Sequence, residues 1–593
     1  MVITRHNFRF LLIALFLFMV VRPFVSADIS GELMQWHKVV LTFSGPDTSE
    51  NANPNPFSDY RLDVTFTGPS AQVYKVPGFY AADGNAGESS AESGNKWRVH
   101  FTPDEAGTWK YSISFVTGKN IAAELSGGSS AGYFNGETGS FSVTATDIDP
   151  NGKDYRGKGK VEYVGESYLR FKGTGKTFIK AGANGPETFL EFADFDNSPN
   201  GGNYTPHVGD WNTGDPAWKG GKGKGLIGLV NYLASFDNNV FYFLTMNAEG
   251  DGKDAWPWTS ADSEGMWRYD CSKLDQWDIV FSHFDTNGLM INFVLSETEN
   301  ESLFEQWENG TTGGFATSRK IYYRELVARF GYHMAITWNI GEENGWAEGK
   351  NSGVDKAVTS TQRKQFADRL RALTYYNDNI VVHNGPSDDD HIFDDLLGHT
   401  SLTGISFQWN YSTNIYDKIL QWVERSNSSG HKWVVSLDEP WLDEKTKPVD
   451  EWRKQNVWET FMAGGAGIEL FVGSGKDVGS QSIKDYGAFY TVNKHALHFF
   501  NKYVPVLNEL SPAKDFVSGA LTLKKNGECY VLYLPVGGSV NLNLPAGDYS
   551  VKWFDPRNGG ELHNGTVNSF SGSGSIGNPP DSISDDWAVL IMK

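Results

Sequence analysis

Trp433-Val-Val-Ser-Leu-Asp-Glu-Pro-Trp441 is a short apolar run that ends in two acids, a proline and an indole. About a hundred residues earlier His333-Met-Ala-Ile-Thr-Trp-Asn-Ile-Gly-Glu-Glu-Asn344 has the same form. Each reads as a buried strand that stops where polar residues begin. Six further runs can be set beside them: 177–184, 239–247, 289–297, 380–384, 404–409 and 467–472. With 334–341 and 433–438 these make eight strands. Amphipathic stretches fall between most of them, as in 272–286, 320–330, 362–376, 416–425, 449–462 and 484–500. Parallel strands alternating with helices over about 350 residues predict a (β/α)8 TIM barrel.

The flanks read differently. Residues 28–146 show short alternating strands, such as 38–43, 61–66, 97–101 and 109–115, separated by Gly, Pro, Asn and Ser clusters. This predicts an antiparallel β-sandwich. Residues 147–160 are polar and Gly-rich and read as a linker, and 161–503 as the barrel. Strand patterns return over 504–593 with turns such as Pro545-Ala-Gly-Asp548, predicting a second β-sandwich. At the start, Arg5 and Arg9 precede an apolar run from Phe10 to Val21. Val25-Ser-Ala27 then offers a small-residue cleavage site, so 1–27 reads as a signal peptide and the expected location is secreted or periplasmic. No later segment is long and apolar enough to span a bilayer.

A length of 593 residues calls for roughly two to four domains. A net charge of −21 argues against nucleic acid as a partner. Only Cys271 and Cys529 are present, in different predicted domains, so stability rests on cores and not on a disulfide framework. Aromatic residues are abundant at 14%, with 20 Trp and 25 Tyr. Most belong to large cores, and some suit the stacking of sugar faces.

In a TIM barrel the reacting groups sit at the C-terminal strand ends. Those ends carry Asn184 with Glu187, Asn247 with Trp256 and Trp258, Glu297 with Glu299, Glu342-Glu343, His383-Asn384, Gln408-Trp409, and Asp438-Glu439 with Trp441. The fourth and seventh strands oppose each other in an eight-stranded ring. Two facing carboxylates among indoles match the needs of glycosidic hydrolysis, an acid for the leaving oxygen and a base or nucleophile for the anomeric carbon. The reading takes Glu343 as general acid/base and Glu439 as nucleophile. Glu342, Glu297 and Asp438 are alternatives, and Glu297 or Glu299 with Glu439 forms a rival pair. Asn247, His383, Asn384 and Gln408 are candidates to bind sugar hydroxyls, and Trp256, Trp258, Trp409 and Trp441 are candidate platforms. Lys253 and Arg319 suit an anionic sugar or a structural pair. Asp194 and Asp196 offer hard oxygen ligands to calcium or brace their loop. No cofactor or catalytic metal is expected, and the expected partner is a polysaccharide or its oligosaccharides.

Several longer strings carry a resemblance. They are Gly182-Ala-Asn-Gly-Pro-Glu-Thr-Phe-Leu190, the stretch 245–258, Glu297-Thr-Glu-Asn300, and 319–330 running into Trp338-Asn-Ile-Gly-Glu-Glu-Asn344. With Gly78-Phe-Tyr80 and Trp97-Arg98 they span nearly the whole chain after residue 27. The chain resembles secreted bacterial glycosidases with an apiosidase-like barrel. In these a β-sandwich domain of unknown function precedes the barrel and a domain of collagen-binding type follows it. The resemblance implies an acid at Glu343, a Glu-Pro at Glu439-Pro440, and an eighth-strand pattern at Ala463-Gly-Gly-Ala-Gly467. This chain has Glu342-Glu343 where that family often has Gly-Asp, so Glu342 competes for the role and the sugar stays open. The expected activity is hydrolysis of a complex plant or algal polysaccharide, with retention of configuration suggested by the barrel. Two other classes stay in view. A carbohydrate-binding or adhesion protein would not need paired carboxylates, and a polysaccharide lyase would need a base such as His383 beside a uronate.

Overall fold

The computed structural model describes residues 1, 27–198, 201–250, 255–345, 357–386, 389–409, 413–440, 448–471 and 479–593. Trp441, Lys253 and nearly all of the predicted signal peptide lie outside these residues.

Eight strands close into a parallel barrel: β1 (Lys180–Asn184), β2 (Val240–Leu244), β3 (Met290–Val294), β4 (Ile336–Asn339), β5 (Asn379–His383), β6 (Gly404–Trp409), β7 (Val434–Pro440) and β8 (Gly467–Phe471). β1 pairs with both β2 and β8, which closes the ring. Every residue of these strands is buried, because helices cover the outside and side chains fill the inside. That double burial is why the strands appear in sequence as continuous apolar runs. The surrounding helices carry local signals of their own. In Cys271–Asn287 the Asp270 side chain accepts from the Lys273 N–H, and Gly288 closes the other end at φ 70°.

Several strands stop earlier than the sequence suggests. The apolar run 289–297 is a strand only to Val294, since the polar residues beyond it belong to the rim. The run 177–184 divides. Thr177–Phe178 joins Leu169–Phe171 and Val161–Glu162 in a small antiparallel sheet, and only Lys180–Asn184 enters the barrel. This small sheet fixes the chain to the bottom of the barrel. The Val161 N–H donates to Met334 O at 2.7 Å and that of Tyr163 to Asn377 O at 2.8 Å. Just before it Lys160 is fully buried, its ammonium 3.1 Å from Asp378 and 2.9 and 2.6 Å from the carbonyls of Gly331 and His333.

In front of the barrel two antiparallel sheets face each other, one built on Val39–Ser49 and Ser93–Phe101, the other on Tyr60–Thr67 and Gly107–Thr117. Phe66 of one stacks on Phe101 of the other with centroids 4.2 Å apart. The sandwich docks on the barrel helix Thr317–Phe330, where Arg324 meets Asp63 at 2.9 Å and Arg329 donates to Tyr80 O at 2.8 Å. Behind the barrel six strands form one antiparallel sheet from Ser511 to Met592. One face encloses its own core, including Leu532, Trp553, Trp587 and Ile591. The other face meets the barrel helices, with Tyr533 stacked on Trp458 at 4.8 Å. Cys271 and Cys529 are both buried and unpaired. Among the described residues no helix is long and apolar enough to cross a membrane.

Candidate active site

The end of β7 breaks the regular alternation of a strand, and the site depends on that break. Asp438 points into the barrel, where its carboxylate lies 2.8 Å from the Lys180 ammonium. Strict alternation would turn the next residue outward. The β6–β7 register shifts here. Phe407 faces Leu437, but Gln408 faces Glu439, which leaves Asp438 as the extra residue of a bulge. Glu439 therefore also turns toward the barrel mouth, and it is 4% exposed. Its register partner Gln408 donates from Nε2 to Glu439 Oε1 and, at 2.9 Å, to Glu343 Oε1. One amide nitrogen thus joins the two acids that the sequence pairs.

Beyond β4 the chain presents Glu342 and Glu343 in succession, both half-buried. Glu343 has φ 43°, the left-handed region that a residue with a Cβ enters at a cost. Thr298 Oγ1 donates to the carbonyl of Glu343 at 3.1 Å and contacts its carboxylate at 3.4 Å. Glu342 points elsewhere. Its carboxylate, that of Glu187 beyond β1 and that of Glu439 each offer an oxygen, and the three oxygens lie within 4.8 Å of one another. Desolvation, then the charges of Glu187, Glu343, Glu439 and Glu297, hold the Glu342 carboxyl well above the usual carboxylate range. A divalent cation fits such a spacing. A proton on Glu342 relieves the same repulsion, and the all-carboxylate set has the make-up that acid-assisted bond cleavage requires.

A second tier holds these groups. His383, at the end of β5, has Nε2 3.4 Å from Glu439 Oε2 and Nδ1 3.0 Å from the Tyr242 hydroxyl of β2. Burial, with the nearby Lys180 charge, lowers the His383 pKa to about 3, so the ring is neutral. Lys180 lies between Asp438 and Glu469 of β8, and Asn292 of β3 donates to Glu469 at 3.1 Å. Burial and the neighbouring Asp438 raise Glu469 to about 8.

The remaining sequence candidates separate by contact. Asn247 is buried, donating to Glu191 Oε1 at 2.5 Å and accepting from the Ala255 N–H at 2.8 Å, so it shapes the loop behind the site. Asn384 spends its amide on the carbonyls of Gly385 and Gln408 and on the Gln408 N–H. It sets the β5–β6 register, which corrects its reading as a sugar ligand. Trp258 is also corrected. It is fully buried against Phe304, Trp307 and Tyr322 and has no face for a sugar. Trp256 is half-buried with Lys273 over its ring, and Trp409 is 9% exposed with Lys418 over its ring at 4.6 Å. Glu297 accepts from Asn300 at 2.9 Å in a capping box on the turn 298–300. Arg319 is fully buried on Glu305 and serves the core, not an anionic sugar. Asp194 accepts from the Gly223 N–H and Asp196 pairs with Lys219, which braces the loop.

Glu191, Tyr242, Lys180 and Glu469 were not singled out as site residues in the sequence, and Glu187 was placed at the first strand end without a role. The signal available for Glu187 was its place three residues beyond a strand end. Tyr242 and Lys180 lie inside apolar strands and carried no signal of their own.

The model for a domain of unknown function, DUF5060, matches residues 32–116, the front sandwich. No curated protein matches the chain in sequence. Among solved structures, a Bacteroides vulgatus protein provisionally described as a glycoside hydrolase is 16% identical, with 94% of this chain and 99% of that chain covered and a TM-score of 0.63. A second B. vulgatus structure, described as a family 5 glycoside hydrolase, is 14% identical over 74% of this chain and 94% of its own, with a TM-score of 0.51. Another, described only as a glycoside hydrolase, is 15% identical over 74% and 97%, with a TM-score of 0.50. The chain shares their fold, a barrel that carries β domains.

Proposed function

We propose that this protein is a secreted glycoside hydrolase that cleaves a complex plant or algal polysaccharide, or its oligosaccharides, by two carboxylates with retention of configuration. The convergence of the Glu342, Glu439 and Glu187 oxygens within 4.8 Å carries this reading. Retaining enzymes hold their two carboxyls about 5–5.5 Å apart, and inverting ones about 6.5–9.5 Å. Glu439 is the nucleophile. Its carboxylate attacks the anomeric carbon as the bond to the leaving oxygen breaks, and the acid protonates that oxygen. Water, deprotonated by the same acid/base residue, then displaces Glu439 and releases the sugar.

We assign the proton to Glu342 and not to Glu343, the residue that the resemblance to apiosidase-like enzymes selects. Burial, and then the neighbouring carboxylates, hold the Glu342 carboxyl well above the usual carboxylate range, and its oxygen is the one set beside Glu439 and Glu187. Glu343 accepts from the Gln408 amide, a bond that favours an anion. The test is a screen of the purified protein on plant and marine polysaccharides, followed by single substitutions on the substrate found. Glu439→Gln is expected to abolish turnover. Glu342→Gln is expected to abolish it on the natural linkage but to keep the glycosylation step on an aryl glycoside, whose leaving group needs no proton. If Glu343→Gln shows that behaviour and Glu342→Gln does not, the proton belongs to Glu343. Full activity of Glu439→Gln overturns the mechanism.

A further inference from the structure

We propose that Tyr242 and His383 form a tautomer lock on Glu439, in which the Tyr242 hydroxyl donates to His383 Nδ1 and so commits the ring's one proton to Nε2, facing the carboxylate. The inference rests on the reading of Glu439 as an ionised nucleophile.

The three groups come from three strands and are all buried. Tyr242 and His383 are 0% exposed and Glu439 is 4% exposed. The hydroxyl lies 3.0 Å from Nδ1, and Nε2 lies 3.4 Å from Glu439 Oε2, a charge contact without the alignment of a hydrogen bond. A neutral imidazole has one N–H and one acceptor nitrogen. An ionised carboxylate only accepts, so a stabilising contact at Oε2 requires the proton on Nε2. Nδ1 must then accept, and the neighbour that faces it has to donate. Tyr242 meets that requirement, since burial and the surrounding carboxylates keep its phenol protonated. The opposite tautomer would point a lone pair at Glu439 and leave the tyrosine proton without its acceptor.

The lock has a chemical use. Glu342 and Glu439 sit close together, and one proton must stay on Glu342 for the pair to act in different roles. A fixed N–H dipole 3.4 Å from Glu439 Oε2, with the Gln408 amide on its other oxygen, favours the anion there. His383 and Tyr242 are therefore positioning residues, acting through Glu439.

The experiment uses the full chain labelled with ¹⁵N-histidine. His383 is assigned by the resonances lost in His383→Gln. The expected result is a neutral ring with the one-bond proton coupling on Nε2, and Tyr242→Phe moves proton population to Nδ1. A wild-type ring protonated on Nδ1, or an unchanged tautomer in Tyr242→Phe, overturns the lock. In kinetics on the substrate found, Tyr242→Phe is expected to lower kcat by about ten- to a hundredfold with KM little changed, the usual cost of removing an outer partner that orients a histidine. His383→Gln, which keeps an N–H donor, should retain more activity than His383→Ala. Equal loss in those two variants counts against the lock. The readouts separate the two claims. If Glu439→Gln stays active while the tautomer result holds, the nucleophile assignment fails and the lock stands.

Discussion

Glu187 tests the electrostatic part of the mechanism without removing either reacting acid. Its carboxylate is the leading charge that raises Glu342. The two offer oxygens within 4.8 Å of each other. At that separation two unit charges repel by about 0.9 kcal/mol in water-like surroundings and about 3.5 kcal/mol at an effective dielectric of 20. The sign follows from which form works. Glu342 acts as an acid only while protonated, and its raised pKa preserves that form to higher pH. Glu187→Gln removes the repulsion, so the proton leaves at lower pH and the alkaline limb of kcat/KM moves toward acid. With about 1.4 kcal/mol per pH unit, the limb moves by at least about half a unit and by as much as about two and a half. The assay is kcat/KM against pH, which reports the free enzyme. Glu187→Asp, which keeps the charge, should hold the limb near its wild-type position. The position of the limb is the readout, not its height, since Glu187 also lies beside Glu439. An alkaline limb that stays in place or moves to higher pH refutes the reasoning.

Three other outcomes follow from the contacts. Lys160→Met strands the buried Asp378 carboxylate together with the carbonyls of Gly331 and His333, so it should cost about 3–5 kcal/mol. A denaturant titration should show the loss, and a cost below about 1 kcal/mol would contradict the buried pairing. Trp258→Ala should destabilise by about 3–5 kcal/mol through the cavity left between Phe304 and Tyr322. Trp256→Ala should cost far less stability, measured the same way, because its ring is only half-buried. Gln408→Glu replaces the shared donor by a third negative charge between Glu343 and Glu439. Turnover should fall by on the order of a hundredfold or more, and Gln408→Ala should fall less; equal losses in kcat would argue against repulsion as the cause.

The barrel was legible because double burial writes each strand as an apolar run and the rim writes each ending as a polar one. What was not legible depends on register and on side chains that meet from distant strands. Trp258 illustrates the first limit. In sequence an indole after a strand looks the same whether its faces meet sugar or Phe304. Tyr242 and Lys180 illustrate the second, since each lies inside a run whose neighbours gave no reason to look inward. The acidic pairs were visible, but the division of labour within them was not.

Asp438-Glu439 shows why. Two consecutive residues of a strand should face opposite ways, so a sequence reading has to choose one for the interior. The bulge opposite Gln408 removes the choice. Asp438 turns down to Lys180, and Glu439 turns up to Gln408 and His383. The two acids then occupy different levels of the same barrel. The lower one joins a buried cation that also contacts Glu469. The upper one faces Glu342 and Glu187. The charge of Lys180 thus bears on the reacting level through His383, whose protonation it opposes. A barrel without that bulge would bury Asp438 in the same way and turn Glu439 toward the helices. The site therefore depends on one residue of register as much as on the identity of its acids.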